Sequence, residues 1–220
     1  MLYFEDIKQK IKKIFKNTDK RYDLNLIFND IYVYNKWGSG SGPGSSKDIC
    51  ENYINFLEVF FQKYNIKSIA DVGCGDWQFS KFIDFKDICY VGYDVAEYVV
   101  KNNIEKYSKE NIQFIHYDGD FDKIKTADLI ICKDVLQHLP NKKIFEFIDI
   151  LYKFKYALIS NDINGYYSKF SNKNIEPGDY RPLDLTKKPF NISMEHVFDI
   201  KRMPQNPDIA TFLWVNPNIK

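Results

Sequence analysis

The residues best able to do chemistry lie near the middle of a 220-residue chain, beginning with IADVGCGDW at positions 69–77. A short apolar run ends there at Asp71 and gives way to Gly73-Cys74-Gly75. Open α/β sheets bind ligands just beyond the carboxyl ends of their strands, and glycines there let the backbone approach a ligand with no Cβ between. Asp94 closes a second run, VGYD, 23 residues after Asp71. A carboxylate in that place accepts hydrogen bonds from both hydroxyls of a ribose, or caps the helix that follows. Asp118 closes a third run, IHYD, where it can accept from an adenine amino group or open an Asp-Gly turn. Each feature alone has a plain structural explanation; the three in succession point to a nucleoside cofactor. A nicotinamide dinucleotide fits poorly. Position 78 is Gln where a third small residue is wanted, and Asp76 sets a negative charge beside the pyrophosphate. A cofactor with an ammonium and a carboxylate but no phosphate fits better.

The elements that must position these groups alternate strongly from Lys67 onward. SIADVG, ICYVGYD, IQFIHYD, ADLIICKD and YALISND read as five apolar strands, with WQFSKFID, VAEYVVKNNIEKYS and NKKIFEFIDILYKF as helices among them. That pattern specifies a parallel sheet covered on both faces. After Asp162 comes a polar stretch with Gly165, Pro177, Gly178, Pro182 and Pro189. MEHVFDIKR and ATFLWVN then read as strands joined by a loop holding Pro204 and Pro207, too short for a helical crossover. The expected fold is α/β: a doubly wound, mostly parallel seven-stranded sheet ending in an antiparallel hairpin.

Upstream of this core, residues 1–44 read as a helical extension and 45–220 as the main domain. Tyr3/Phe4, Ile7, Ile11 and Ile14/Phe15 recur at helical spacing, with lysines on the rest of the turn. The expectation is a helix packed on the domain, although its basic face also allows peripheral contact with acidic lipid. DLNLIFNDIYVYNKW then leads into the Gly/Ser-rich residues 38–46. Ser45 or Ser46 caps a helix from about Lys47 to Tyr64, with Ile49, Tyr53, Leu57 and Phe60 on its apolar face.

With these motifs in place, the sequence resembles the class I S-adenosylmethionine-dependent methyltransferases over roughly residues 45–220. DVGCGDW is similar to their first motif, Asp94 to their ribose-binding acid and Asp118 to their adenine-side acid. ICKDVLQHLP resembles the fourth-strand segment that borders both the methionine moiety and the acceptor. The resemblance implies S-adenosylmethionine as cofactor, held by Asp71, Gly73, Gly75, Asp94, Asp118 and Lys133. Asp76-Trp77 departs from the pattern, where many members have a further Gly, and Trp77 there reads as shaping the pocket. KWGSGSGPGS, CGDW, KDVLQHL and GDYRPLDLTKKPF further resemble a bacterial group associated with surface-polysaccharide genes. That makes the Gly/Ser stretch a lid over cofactor or substrate in preference to an inert linker, with Trp37 a pocket wall.

Methyl transfer from a sulfonium is an in-line displacement, and an alcohol acceptor must also lose its proton. His138, four residues beyond Asp134, is the leading general base, because imidazole titrates near neutrality; a structural histidine capping the turn before Pro140 is the alternative. His116 is expected to pack in the sheet, and His196 to be structural or on the rim. Arg181 in GDYRPLD is a candidate to grip an anionic group of the substrate with its planar fork, or to fasten the loop to a carboxylate. Asp134 belongs with the catalytic set. Together with Asp162, and Asn161 or Asn164, it also resembles the magnesium-holding acids of catechol-type O-methyltransferases, a minority reading, so no metal is expected. The Asn/Asp-Pro-Pro-aromatic stretch of enzymes that methylate base amines is missing. Cys132 lies within a strand, away from where a base-carbon nucleophile belongs. A small hydroxylated acceptor, a sugar or nucleotide-sugar, is the expectation. The alternatives are nitrogen methylation of a small molecule or protein, and a non-catalytic cofactor-binding subunit.

Composition agrees with a small-molecule partner. Lys plus Arg number 31 against 30 for Asp plus Glu, so the cationic excess that drives nucleic-acid binding is missing. Cys50, Cys74, Cys89 and Cys132 show no metal-ligand spacing, and Cys89 and Cys132 read as small buried hydrophobes. No apolar run approaches the ~20 residues needed to span a bilayer, and the first residues do not form a secretory signal. A cytoplasmic location is expected.

Overall fold

The computed structural model of the chain describes residues 22–163, 172–202 and 208–219. The helix expected over residues 3–15 lies outside that range, as do Asn164, Gly165, Pro204 and Pro207. One sheet holds β1 (Ser68–Val72), β2 (Cys89–Asp94), β3 (Ile112–His116), β4 (Leu129–Lys133), β5 (Tyr156–Asp162), β6 (Glu195–Ile200) and β7 (Ile209–Val215). Their order is β3-β2-β1-β4-β5-β7-β6. β1 to β5 run parallel, whereas β7 pairs antiparallel with both β5 and β6. The expected five parallel strands and antiparallel hairpin are present. The hairpin's second strand is the one inserted against β5, which spacing alone did not reveal.

Alternate residues of the inner strands feed two separate cores, so these strands read as unbroken apolar runs. Ala70, Ile130, Cys132, Ala157 and Ile159 face one core, with α1 (Leu24–Val33) and α4 (Asn141–Ile150) packed on it. Ile69, Leu129, Ile131 and Leu158 face the other, covered by α2 (Lys47–Lys63). α2 buries Cys50, Tyr53, Ile54, Leu57, Phe60 and Phe61, a stripe at helical spacing. Its N-cap is Ser46, though that side chain makes no capping bond. α3 (Glu97–Tyr107) follows β2 and inserts Val99 into one core and Val100 into the other.

Three local expectations are corrected. WQFSKFID forms only a short 3-10 turn at Ser80–Phe82, because Trp77 has a left-handed backbone (φ 59°) and its ring is anchored in the core. Cys89 opens β2 and is exposed, not buried. His116, at the end of edge strand β3, is also exposed, with Nε2 3.1 Å from the Val95 carbonyl.

The strand order reverses on either side of β1, which places a crevice at the carboxyl ends of β1 and β4. Gly73 makes that crevice possible. It holds φ 75°, its N–H donates to the Tyr93 carbonyl at 2.7 Å, and a Cβ there would overlap the Val135 side chain. Gly73→Ala is expected to lower stability by about 1–3 kcal/mol, from backbone strain plus overpacking. Adding Val135→Ala should recover the packing part and leave the strain. Urea denaturation of the three variants measures both, and a wild-type midpoint for Gly73→Ala would contradict this account.

Candidate cofactor and active site

A cavity with about 80 Å³ of free internal space opens at the carboxyl ends of β1, β2 and β4. Leu24 and Phe28 of α1, with Val95, Tyr117 and Phe121, wall its apolar end. Asp71, Gly73, Cys74 and Asp94 line the middle, and Trp37, Lys133, Asp134 and His138 the far end. Asp94 accepts from the N–H of Gly75 at 2.9 Å and of Ala96 at 2.8 Å, so its orientation is set by backbone donors. Burial pushes its pKa up to about 6 against the pull of those donors. Asp71 is likewise raised to about 6 by burial, opposed by a hydrogen bond from the Tyr90 hydroxyl. Among the described residues neither carboxylate forms an ion pair.

The Gly/Ser stretch lies as a folded loop on the Gly-x-Gly turn. Ser41 Oγ donates to Asp76 Oδ1 at 2.6 Å and accepts from the Asp76 N–H at 3.2 Å. Gln78 Nε2 donates to the Ser39 carbonyl, and Gly40 N–H to Asn35 Oδ1 at 3.1 Å. Gly75 is glycine for this reason: a Cβ would run into Ser41 Oγ. The Asp76 that argued against a dinucleotide is thus spent on fastening this loop. Trp37 sits at its start, with ring centroids 5.8 Å from Tyr32 and 5.0 Å from His138.

At the far end the chain turns sharply after β4. Asp134 is held at φ 59°, a conformation that costs a non-glycine residue about 1–3 kcal/mol and concentrates at functional sites. Its carboxylate receives Lys133 Nζ at 2.7 Å and Gln137 Nε2 at 3.2 Å, with Arg202 Nη2 4.0 Å away. Lys133 also donates to the Gly44 carbonyl at 3.2 Å, tying the loop to β4. Gln137 is oriented by the Asp162 N–H, which donates to its Oε1 at 2.9 Å. Asp162 itself accepts from the Tyr180 hydroxyl at 2.6 Å. An ammonium, a guanidinium and an amide around Asp134 suit a carboxylate and oppose a divalent cation, which disfavours the magnesium reading.

His138 Nδ1 lies 2.9 Å from the Asp179 carbonyl. A carbonyl only accepts, so Nδ1 carries the hydrogen and Nε2 of the neutral ring is left as an acceptor. Burial lowers the His138 pKa, partly offset by the Asp179 carbonyl and Asp134.

Several sequence expectations fall elsewhere. Arg181 does not face a substrate: it is 0% exposed, and Nη1 and Nη2 donate to the carbonyls of Leu136 and Leu139 at 2.8 Å and to Asn141 Oδ1 at 3.1 Å. No carboxylate among the described residues pairs with it. The guanidinium is a rivet between the 172–190 loop and the turn that carries His138. Asp118 does not line the cavity but faces solvent and pairs with Lys123 at 2.6 Å. Its neighbour Tyr117 and the following Phe121 take the cavity wall instead. Trp77 lies beneath the cavity and not in its lining. Gly75 contributes through its backbone: N–H to Asp94 and carbonyl to Asn103 Nδ2 at 2.7 Å. His196 is on the rim, 2.8 Å from Asp199. Sequence reasoning missed Tyr32, Ser41, Tyr117 and Phe121. The apolar spacing of Leu24, Phe28 and Ile31 signalled a helix face, but nothing signalled that the face would close the cavity.

Two outcomes follow from these contacts. Arg181→Ala should lower stability by about 2–4 kcal/mol, by stranding buried carbonyls, with cofactor affinity nearly unchanged; chemical denaturation and calorimetric titration separate the two. Wild-type stability in that variant would return Arg181 to a substrate role. Ser41→Ala should speed cleavage within residues 38–46 under native limited proteolysis while the global unfolding midpoint stays put. Unchanged cleavage would mean that the Asp76 bonds do not hold the loop.

Residues 70–151 match the family model of a methyltransferase domain. Among solved structures, N-methyltransferase NodS from Bradyrhizobium japonicum, in complex with S-adenosylhomocysteine, superposes with a TM-score of 0.67 at 10% identity, covering 90% of this chain and 100% of that one. Magnesium protoporphyrin IX methyltransferase from Synechocystis, with the same product bound, gives 0.62 at 14% identity, covering 88% and 99%. The N-terminal domain of EvdMO1, solved in the presence of S-adenosylhomocysteine and D-fucose, gives 0.52 at 11% identity, covering 74% and 82%. Over 116 residues the chain is also 31% identical to cytochrome b mRNA maturase bI2 of Saccharomyces cerevisiae. That match covers 50% of this chain and only 26% of the maturase, so the chain spans a minor part of that relative's length. No helix among the described residues is long and apolar enough to cross a membrane. Residues 70–151 are thus similar to a methyltransferase domain, and the sheet order is that of the S-adenosylmethionine-dependent methyltransferase fold shared by these solved neighbours.

Proposed function

We propose that this protein is an S-adenosylmethionine-dependent methyltransferase acting on a hydroxyl of a sugar-type acceptor, in the cytoplasm and in the service of surface-polysaccharide synthesis, with His138 as general base. Residues 45–220 form the catalytic domain, and the extension 1–44 supplies the lid. The cavity suits the cofactor on its own terms. Asp94 keeps lone pairs for ribose hydroxyls, Asp71 suits an ammonium group, and Tyr117 and Phe121 offer an apolar slot for a purine. Gly73 contributes a close backbone approach, and Trp37 closes the site from the lid side. When bound, S-adenosylmethionine supplies a methyl group on a sulfonium, so the acceptor needs an oxygen lone pair in line with it.

The observation that carries the assignment is the His138 tautomer. With Nδ1–H committed to Asp179, Nε2 is the acceptor that would take the proton of a hydroxyl acceptor. Gln137 Nε2 donates to Asp134 Oδ1 at 3.2 Å and lies 3.5 Å from His138 Nε2, so an acceptor hydroxyl would take the place of that long amide contact at the imidazole lone pair. Arg202, beside the same carboxylate with a buried Nε that finds no partner among the described residues, suits a phosphate on a nucleotide-sugar. The solved neighbours include an N-methyltransferase and a structure solved with D-fucose, so hydroxyl and amine are the two acceptors that the kinetics below distinguish.

His138→Ala should lower kcat by ~10²–10⁴-fold with the cofactor's Kd nearly unchanged. Because burial depresses the imidazole pKa below its ordinary 6.5, the neutral base persists into mild acid. The wild-type rate should therefore hold at neutral pH and fall only on the acid side of 6.5. Steady-state kinetics across pH on a panel of sugars and nucleotide-sugars is the measurement. Near-normal turnover in His138→Ala would sink the base assignment and favour an amine acceptor.

A further inference from the structure

Beneath the cavity a chain of two hydrogen bonds ends on Asp71. β1 and β2 pair with Asp71 opposite Gly92 and Ile69 opposite Tyr90, so Tyr90 and Asp71 share one face of the sheet. The Tyr90 hydroxyl reaches Asp71 Oδ2 at 2.6 Å. Trp77 Nε1 reaches the same hydroxyl from the other side at 2.9 Å. An indole N–H only donates, so the phenol oxygen accepts from Trp77 and its single hydrogen goes to the carboxylate. All three side chains are buried. Trp77 adopts the left-handed backbone that bulky residues rarely enter, and its ring is wedged against Phe85, Tyr107 and Phe114.

We infer that Tyr90 and Trp77 are positioning residues for cofactor binding, aiming the Asp71 carboxylate at the ammonium of the cofactor's amino-acid end. This rests on the assignment of that ammonium to Asp71 made above. The donated indole hydrogen polarises the phenol and strengthens its own donation. The other groups facing Asp71 are Asp94 at the end of β2, Cys74 in the glycine turn, Tyr53 of α2, and Cys132 and Lys133 of β4. Lys133 alone among them is cationic, and it is engaged with Asp134. Burial raises the Asp71 pKa to about 6, and the Tyr90 bond is the largest effect opposing it. Without that bond the acid protonates at higher pH, and a neutral acid holds an ammonium poorly. The departure of Asp76-Trp77 from the family's glycine-rich pattern thus has a use on both sides: Asp76 fastens the lid, and Trp77 braces the carboxylate.

The test compares two ligands that share a nucleoside end, S-adenosylhomocysteine and 5′-methylthioadenosine, of which only the first carries the ammonium. Their Kd values are measured by calorimetry between about pH 5 and 8 for wild type, Tyr90→Phe and Trp77→Phe. Tyr90→Phe should weaken S-adenosylhomocysteine about five- to tenfold at neutral pH and leave 5′-methylthioadenosine unchanged. The pH below which S-adenosylhomocysteine affinity declines should move upward. Trp77→Phe keeps an aromatic ring, loses only the donor, and should show a smaller change in the same direction. Equal weakening of both ligands, or an unmoved pH profile, would reduce the pair to a structural role and overturn the proposal. Asp71→Asn with an undiminished preference for S-adenosylhomocysteine would overturn the Asp71 assignment instead. Wild type that bound neither ligand would overturn the cofactor reading, and the proposal with it.

Discussion

Asp71 and Asp94 stand at the ends of neighbouring strands, buried, and among the described residues neither forms an ion pair. Removing a carboxylate from water without pairing it is costly, and the chain meets that cost with backbone N–H groups and a phenol. The remainder is visible in pKa values near 6 against an ordinary 3.8. A folded-state pKa above the unfolded one means that the folded form binds the proton more tightly. These two groups therefore add stability as pH falls from about 6 towards 4, and withhold it at neutral pH. A ligand bringing two hydroxyl donors and an ammonium would supply hydrogen bonds and a positive charge to these two carboxylates. His138 acts with the opposite sign: its depressed pKa means stability is lost as pH falls through its ordinary 6.5. The neutral-pH fold is thus poised to be stabilised by its cofactor.

Much of this was legible in order and spacing. Five apolar runs, each finished by a polar strand end, gave the parallel sheet, because inner strands must be apolar on both faces. Asp71, Gly73 and Asp94 were legible because the cavity sits where strands end, and strand ends are marked by such residues. What the chain did not disclose were partnerships across long separations. Asp118 and Tyr117 are neighbours on a turn, and only the backbone decides which of them faces inward. Arg181 carries the chemistry of an anion clamp, yet the carbonyls freed by the turn after β4 claimed it. His116 and Cys89 sit in apolar-looking runs, but one ends an edge strand and the other opens a strand, where solvent reaches them.

The loop of residues 37–46 links the two halves of the site. It touches the glycine turn through Ser41, β4 through the Gly44 carbonyl, and His138 through Trp37. On the proposed reading of the site, cofactor and acceptor would share one cover. A conformational change in that loop would then reach both at once, coupling the two ligands without movement in the sheet.

The burial of Arg181 bears on how freely this part of the chain could be exchanged. Residues 172–190 lie between the fifth strand and the final hairpin. Here that chain is riveted to Leu136, Leu139 and Asn141, and Gly178 N–H is bonded to the His138 carbonyl at 2.9 Å. Residues 172–190 are consequently not a detachable module. Grafting them into a relative, or replacing them with a relative's segment, requires carrying the 134–141 turn along. Changing this loop and retaining the fold are one engineering problem, with the segment and its foundation inherited as a single block.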